Sequence, residues 1–196
     1  MVHHGLAPEV RENRQLVLDA AFAAHPDRAA VALVLAGEAS EVQMCFIRRA
    51  TRLDDPWSGQ MAFPGGRAAA GDLSAEAVAE RETWEEVGLR LVASHRLGAL
   101  SELPVHRAGA STSTVLSPFV YHVGPYAAPL AANQKEVAEA YWEPLEDLWD
   151  EKNADRFRAY PAIRFHEYFI WGLTLRVLAQ FAEAVGRPLP ARLIAS

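Results

Sequence analysis

A single cysteine, Cys45, stands among the 196 residues, so no internal disulfide framework can form. That scarcity points to a reducing compartment, the cytoplasm. Cys45 lies in the strand-like stretch EVQMCFIRR with no nearby base to generate a thiolate, and it reads as a core thiol rather than a nucleophile. Long apolar runs are also missing. AAVALVLAG, residues 29–37, falls far short of the roughly 20 residues that a membrane-spanning helix needs, and the opening MVHHGLAPEVRENRQ turns polar at once, unlike a secretory signal. Positive charge is in deficit: 19 Lys and Arg face 25 Asp and Glu, for a formal charge of −6. No basic field is available to hold nucleic acid or an anionic membrane non-specifically. A polyanionic small molecule would have to be met locally, by a few arginines or by bound cations. Repeats and low-complexity tracts are absent as well.

What is present suits one compact domain, with 51% hydrophobic and 22% charged residues. Residues 9–24 read as a helix that Pro26 ends, an N-terminal helical extension over 1–30 packed on a domain of residues 31–186, with 187–196 as a C-terminal tail. VALVL (31–35) and VQMCFIRR (42–49) are strand candidates joined by a hairpin loop, and 51–60 is a loop carrying Asp-Pro and Ser-Gly turn signals. MAF before Pro64 is a short strand entering a double glycine. SHRLGALSEL and TVLSPFVYHVG read as further strands. Residues 136–150 begin as a strand and end in a short helix opened by Pro144. AIRFHEYFIWG (162–172) alternates apolar and polar residues before a last helix over 173–185, closed by Gly186 and Pro188. Strands and helices without a regular βαβ rhythm predict an α/β fold with a mixed sheet and helices on its faces.

The chemistry is concentrated in FPGGRAAAGDLSAEAVAERETWEEVGL, residues 63–89. Asp72 or Ser74 can cap a helix that runs from about residue 75 to 87, with Gly88 as its left-handed C-terminal residue. On a 3.6-residue period Glu82, Glu85 and Glu86 share one face, while Ala75, Val78, Ala79 and Val87 form the inward one. Helix energetics disfavour this. Glu82 and Glu86 are a like-charge i,i+4 pair costing a few tenths of a kcal/mol, and Glu85 and Glu86 sit at the negative end of the dipole, at roughly 0.3–1 kcal/mol each if exposed. A solvated acidic face with an Arg81–Glu85 pair is the plain reading. The upstream Gly65-Gly66 favours the other, in which a hard divalent cation holds the carboxylates together and a glycine backbone approaches a ligand.

These residues resemble the signature of the Nudix hydrolases. Gly66, then Asp72 after five intervening positions, then Arg81, Glu82, Glu85, Glu86, Gly88 and Leu89 follow its order. Asp72 stands where a glutamate is usual, and eight residues rather than seven separate it from Arg81. The lengthened form, with Arg49, Gly59 and Phe63 to Gly66 upstream, is similar to the branch that hydrolyses coenzyme A and its thioesters. That branch's Leu-Leu-Thr reads Phe46-Ile47-Arg48 here, and its second arginine is missing where Asp54 or Asp55 falls. Those departures keep the same chemistry on ADP-ribose, a dinucleotide or a nucleoside triphosphate open, and a non-catalytic nucleotide-binding module as a further alternative. The resemblance runs from about Val31 to Phe181.

The resemblance implies an α/β/α sandwich around a mixed β-sheet, with Mg²⁺ or Mn²⁺ held by Glu82, Glu86, Glu85 and the carbonyl of Gly65 or Gly66. It further implies that Arg81 orients a signature glutamate and that a metal-activated water attacks a diphosphate. Glu82, Glu85 and Glu136 are the candidate bases. Arg49 and Arg67, next to Gly66, are candidates to hold substrate phosphates. The implied partner is a small nucleoside diphosphate derivative, with no nucleic acid and no membrane, and a homodimer is left open. Elsewhere, His3 and His4 offer no ligand cage, His106 and His122 read as surface residues, Trp57 lines a pocket or anchors its loop, and Trp142 and Trp171 read as core.

Overall fold

A computed structural model describes residues 27–38, 41–53, 57–106, 113–128 and 130–194. The expected helix over 9–24, His3 and His4, and Asp54 and Asp55 lie outside the described residues. The central strands are β1 (Arg28–Ala36), β2 (Gln43–Arg49), β3 (Met61–Ala62), β4 (Gly65–Arg67), β5 (Arg96–Ala99), β6 (Leu103–His106), β7 (Ser113–His122) and β8 (Val137–Pro144). They form one eight-stranded sheet. β1 and β7 run parallel, from Arg28 opposite Val115 to Leu35 opposite His122, and the remaining pairings are antiparallel. The sheet is therefore mixed, as expected.

Both faces of this sheet are covered, which is why β1 is apolar nearly throughout. Ala30, Ala32 and Val34 point to one side, where they meet Val78, Ala79 and Val87 of helix α1 (Ala75–Val87). Leu33 and Leu35 point to the other side, toward helix α2 (Gly172–Ala184), whose Leu175, Val177, Leu178 and Phe181 are buried there. Beside α2 lies a second, three-stranded sheet of β9 (Ala154–Phe157), β10 (Tyr160–Phe165) and β11 (Tyr168–Trp171). Cys45 is fully buried in the core, and burial pushes its thiol up.

Three expectations change. Residues 162–172, read as one alternating apolar and polar stretch, form a hairpin, because the chain turns at His166, which adopts φ 50°. No glycine, proline or asparagine marks that turn, so the sequence carries no signal for it. The segment after Gly186, expected as a tail, contains the short helix α3 (Ala191–Ile194) and buries Leu189 and Leu193 in the main core. Trp142 and Trp171 are only half-buried. The indole nitrogen of Trp142 donates to the Ala128 carbonyl at 2.7 Å, satisfying the group that a core tryptophan would have to bury.

The feature that positions the site is a wedge between β1 and β2. These strands pair only at Leu35–Met44 and Ala36–Gln43. Further along they separate: β1 pairs with β4 through Ala29–Arg67, Ala30–Gly66 and Val31–Gly65, and β2 with β3 through Ile47–Ala62 and Arg48–Met61. The Phe63–Gly66 turn thus threads through the middle of the sheet. Ala32 donates its amide to the Pro64 carbonyl at 2.9 Å, closing the gap.

Candidate active site

Helix α1 starts at Ser74, whose hydroxyl accepts from the Ala77 amide, and ends at Gly88 with φ 72°. Its last-turn carbonyls are met by another loop: Ala131 donates to the Val87 carbonyl at 3.0 Å and Asn133 to the Glu86 carbonyl at 2.9 Å. Backbone amides of residues 131–133 therefore satisfy the helix's orphan acceptors at its negative end. The same loop closes on itself, Glu136 donating to the Asn133 carbonyl at 2.8 Å, and Ala50 donates to the Glu136 carbonyl at 2.8 Å. Glu136, far away in sequence, is carried by this to the acidic face of α1.

Carboxylate oxygens of Glu82, Glu86 and Glu136 lie within 4.8 Å of one another. Glu86 is buried, and its Oε2 accepts the Gly65 amide at 2.8 Å. Gly65 thus meets the acidic helix through its N–H, a group separate from the carbonyl of Gly65 or Gly66 for which the resemblance implied a metal contact. Glu85, also expected among the metal ligands, lies outside this trio. Its Oε2 accepts from Arg81 Nη1 at 3.0 Å, and the side chain is 47% exposed.

Arg81 binds the surrounding groups into one network. Nε and Nη2 fork onto Asp72 at 3.0 and 2.9 Å, Nη1 reaches Glu82 at 2.9 Å, and Nη2 also donates to the Arg67 carbonyl at 3.2 Å. Asp72, buried, additionally accepts the Ala69 amide at 2.7 Å. With Ser74 capping the helix, Asp72 serves as the bidentate partner of Arg81. The Arg81 guanidinium holds the Asp72 carboxyl below its usual range.

Burial raises the Glu86 carboxyl to about 8; the Gly65 amide opposes the rise, and the neighbouring Glu82 charge adds to it. Burial also raises Glu82, against the pull of Arg81. A carboxyl whose folded value exceeds its ordinary 4.5 keeps its proton longer in the native state than in the unfolded one. The metal-free protein is therefore expected to lose stability as pH rises from about 4.5 to about 8. The loss is on the order of a few kcal/mol, since each tenfold difference in proton affinity between the two states is worth about 1.4 kcal/mol. Asp72, displaced the other way, adds a loss only on acidification below its ordinary 3.8. Urea midpoints in EDTA at pH 5, 6.5 and 8 check this, and a midpoint that stays level or rises across that series contradicts it.

Lined in part by Gly65 and Gly66 is a cleft of about 480 Å³. Arg49, Arg67, Gly65 and Gly66 line it together with the apolar side chains of Trp57, Leu116, Trp171 and Val177. Arg49 also lowers the Glu86 carboxyl through its charge, so it lies near both the acidic trio and the cleft. Of the other candidates, His106 is exposed at the end of β6, while His122 is half-buried with Nε2 2.9 Å from the Gly37 carbonyl. Trp171, expected in the core, is a cleft residue; nothing in its apolar surroundings in the sequence distinguishes the two positions.

Three clustered carboxylates, one of them buried, are a donor set of hard oxygens that fits a divalent cation such as Mg²⁺ or Mn²⁺ and not a soft, thiolate-seeking metal. With the mixed sheet and the diglycine turn they accord with a hydrolase of the pyrophosphohydrolase class, which the family match and the Nudix hydrolase relatives support. The chain belongs to the NUDIX domain family, whose model matches residues 26–164. It is 31% identical over 173 residues to the Nudix hydrolase NudL of Yersinia pestis, covering 84% of this chain and 82% of that protein. A Schizosaccharomyces pombe protein is 37% identical over 144 residues, 64% of this chain, and this chain spans 44% of its length. Among solved structures, a MutT/nudix family protein from Enterococcus faecalis superimposes with TM-score 0.53 at 19% identity, over 89% of this chain and 67% of that one. The NUDIX domain of Shewanella oneidensis NrtR, in complex with ADP ribose, does so with TM-score 0.50 at 17% identity, over 63% and 75%. These two likenesses speak to the fold. Nudix hydrolases use divalent metal ions, and no described helix is long and apolar enough to cross a membrane.

Proposed function

We propose that this protein hydrolyses the diphosphate of coenzyme A and its thioesters with Mg²⁺ or Mn²⁺, releasing 3′,5′-ADP and a 4′-phosphopantetheine species. The observation that carries the reading is the arrangement around Gly65 and Gly66: the acidic trio meets this turn through Glu86 and the Gly65 amide, and the same glycines line a cleft that holds Arg49 and Arg67 together with apolar side chains. A substrate with a diphosphate and a slender, largely uncharged arm matches that polarity. The upstream run of Arg49, Gly59 and Phe63 to Gly66 supports the same substrate.

Glu82, Glu86 and Glu136 would hold the cation, and Arg49 and Arg67 would pair with the diphosphate oxygens. A bound divalent cation supplies charge neutralisation at the diphosphate and a more acidic water. Water oxygen bonds to one phosphorus, the bridging P–O bond breaks, and the bridging oxygen leaves on the other phosphate. The water's proton passes to a carboxylate, for which Glu82, Glu85 and Glu136 are the candidates. The Gln variant of the true base loses kcat and flattens the acidic limb of the pH profile; at Glu85, outside the trio, it does so with cation binding kept, whereas at Glu82 or Glu136 cation binding weakens as well. Arg81, tied to Asp72, fixes the rotamers of Glu82 and Glu85.

The test is a hydrolysis panel with Mg²⁺ or Mn²⁺ on CoA, acetyl-CoA, ADP-ribose, NADH, dinucleoside polyphosphates and nucleoside triphosphates, read by mass spectrometry. The expected result is preferred release of 3′,5′-ADP from CoA. Preference for another diphosphate discards the substrate and keeps the chemistry. Nucleotide binding with no hydrolysis under any divalent cation discards both.

A further inference from the structure

The three carboxylates of the trio are not held alike. Glu82 accepts from Arg81 Nη1 at 2.9 Å and Glu86 from the Gly65 amide at 2.8 Å, close contacts made within the 65–86 stretch itself. Glu136 comes from elsewhere in the chain. β2 and β8 pair as far as Arg49 opposite Val137, with a register shift between Arg48 and Arg49, and past the strand ends the Ala50 amide donates to the Glu136 carbonyl. That rung fixes the backbone of Glu136 and does nothing for its side chain. Like charges within 4.8 Å of one another repel, and Glu136, at 43% exposure against 14% for Glu82 and a buried Glu86, has the easiest way out into solvent.

Arg52 supplies what the ladder does not. Its Nη2 donates to the Lys135 carbonyl at 2.6 Å and lies 3.7 Å from Glu136 Oε1. One nitrogen thus grips the backbone just ahead of Glu136 and faces its carboxylate. The root of the arginine is held too, since the Arg52 amide donates to the Ser58 hydroxyl and that hydroxyl donates to the Arg52 carbonyl at 2.9 Å. An ion pair this exposed does little for stability, so its consequence lies in where it puts Glu136. The geometry points to Arg52 as the positioning residue of Glu136, which keeps the 135–136 backbone and the carboxylate at the trio so that a third oxygen donor stands ready for a divalent cation. This rests on the reading above in which Glu136 holds the cation.

Mn²⁺ alone, titrated into the full chain and followed by the electron paramagnetic resonance of the free ion, tests it through a double-mutant cycle of Arg52→Ala with Glu136→Gln. In the otherwise wild-type chain Glu136→Gln is expected to weaken Mn²⁺ binding about tenfold. In the Arg52→Ala background the same change is expected to weaken it less than about threefold, because Glu136 has already left the trio. Arg52→Lys, which keeps a donor and a charge, is expected to restore most of the difference. An equal penalty in both backgrounds overturns the positioning role alone. A larger penalty in Arg52→Ala overturns it as well, since Arg52 would then be competing with the cation for Glu136. In turnover of the preferred diphosphate, Arg52→Ala is expected to lower kcat with KM near the wild-type value; a raised KM with unchanged kcat marks a guanidinium that holds substrate and overturns the assignment. If thermal unfolding shows that Arg52→Ala has lost its fold, Arg52→Met, which keeps the aliphatic stem, takes its place in the cycle under the same criteria. Unchanged Mn²⁺ binding on Glu136→Gln in the otherwise wild-type chain overturns the cation role of Glu136 and the positioning role together.

Discussion

Glu86→Gln is expected to lose turnover by about a thousandfold or more, several kcal/mol of transition-state stabilisation, while remaining folded. The two halves of this expectation have separate causes. Glutamine preserves the shape of the side chain and an oxygen to accept the Gly65 amide, so the 2.8 Å contact that ties the helix end to the diglycine turn survives. What it removes is the negative charge that would face a cation together with Glu82 and Glu136. Because burial already disfavours that charge, the metal-free variant should be at least as stable as the wild type at pH 8 and should show a smaller fall in stability between pH 5 and 8, the remainder coming from Glu82. Full activity in this variant would sink the metal role of the cluster. Lost activity accompanied by lost near-ultraviolet circular dichroism would show that Glu86 serves the fold instead.

Adjacent glycines should fail in different ways. A Cβ on Gly66 would lie 2.4 Å from Oε1 and 2.5 Å from Cδ of Glu82, the far end of a flexible side chain. Gly66→Ala should therefore fold, push Glu82 out of the trio, and cost about a hundredfold in kcat, the scale on which an ångström of misplacement acts. A Cβ on Gly65 would lie 2.3 Å from the Ala30 carbonyl oxygen and 2.6 Å from Val31 Cα, in backbone at the centre of the sheet, at φ 153°. That clash cannot be relieved by a rotamer, and Gly65→Ala should cost about 3 kcal/mol or more in stability, lowering Tm by roughly 10 °C. Parallel measurements of Tm and of kcat with Mg²⁺ separate the two effects. A Gly66→Ala enzyme with wild-type kcat would show that the position of Glu82 does not matter to turnover.

Much of this molecule can be read directly along the chain. Helix α1 was predictable to its ends because its signals are local: a serine cap, a glycine that tolerates the left-handed conformation, and carboxylates three and four residues apart on one face. Their unfavourable placement at a helix C-terminus was itself informative, since a helix built for stability alone would carry lysine there. The apolar β1 run and the glycine pair were legible for similar reasons, each being a short-range requirement on residue type.

The rest depended on contacts between residues distant in sequence. Glu136 was one candidate among several until the 131–133 amides met the end of α1 and set it beside Glu82 and Glu86. Glu85 has the same residue type and nearly the same position as Glu86, yet helix rotation points it to solvent and Arg81, while Glu86 turns inward to Gly65. The hairpin at His166 and the place of Trp171 had no local marker. A tryptophan in an apolar strand looks alike whether it closes a core or lines a cleft. By itself the sequence determined the family, the mixed sheet and the carboxylate face, because spacing within one helix or turn follows from backbone geometry. The tertiary structure alone decided which carboxylates converge and what forms the cleft wall, because those depend on how separate strands and loops pack against one another.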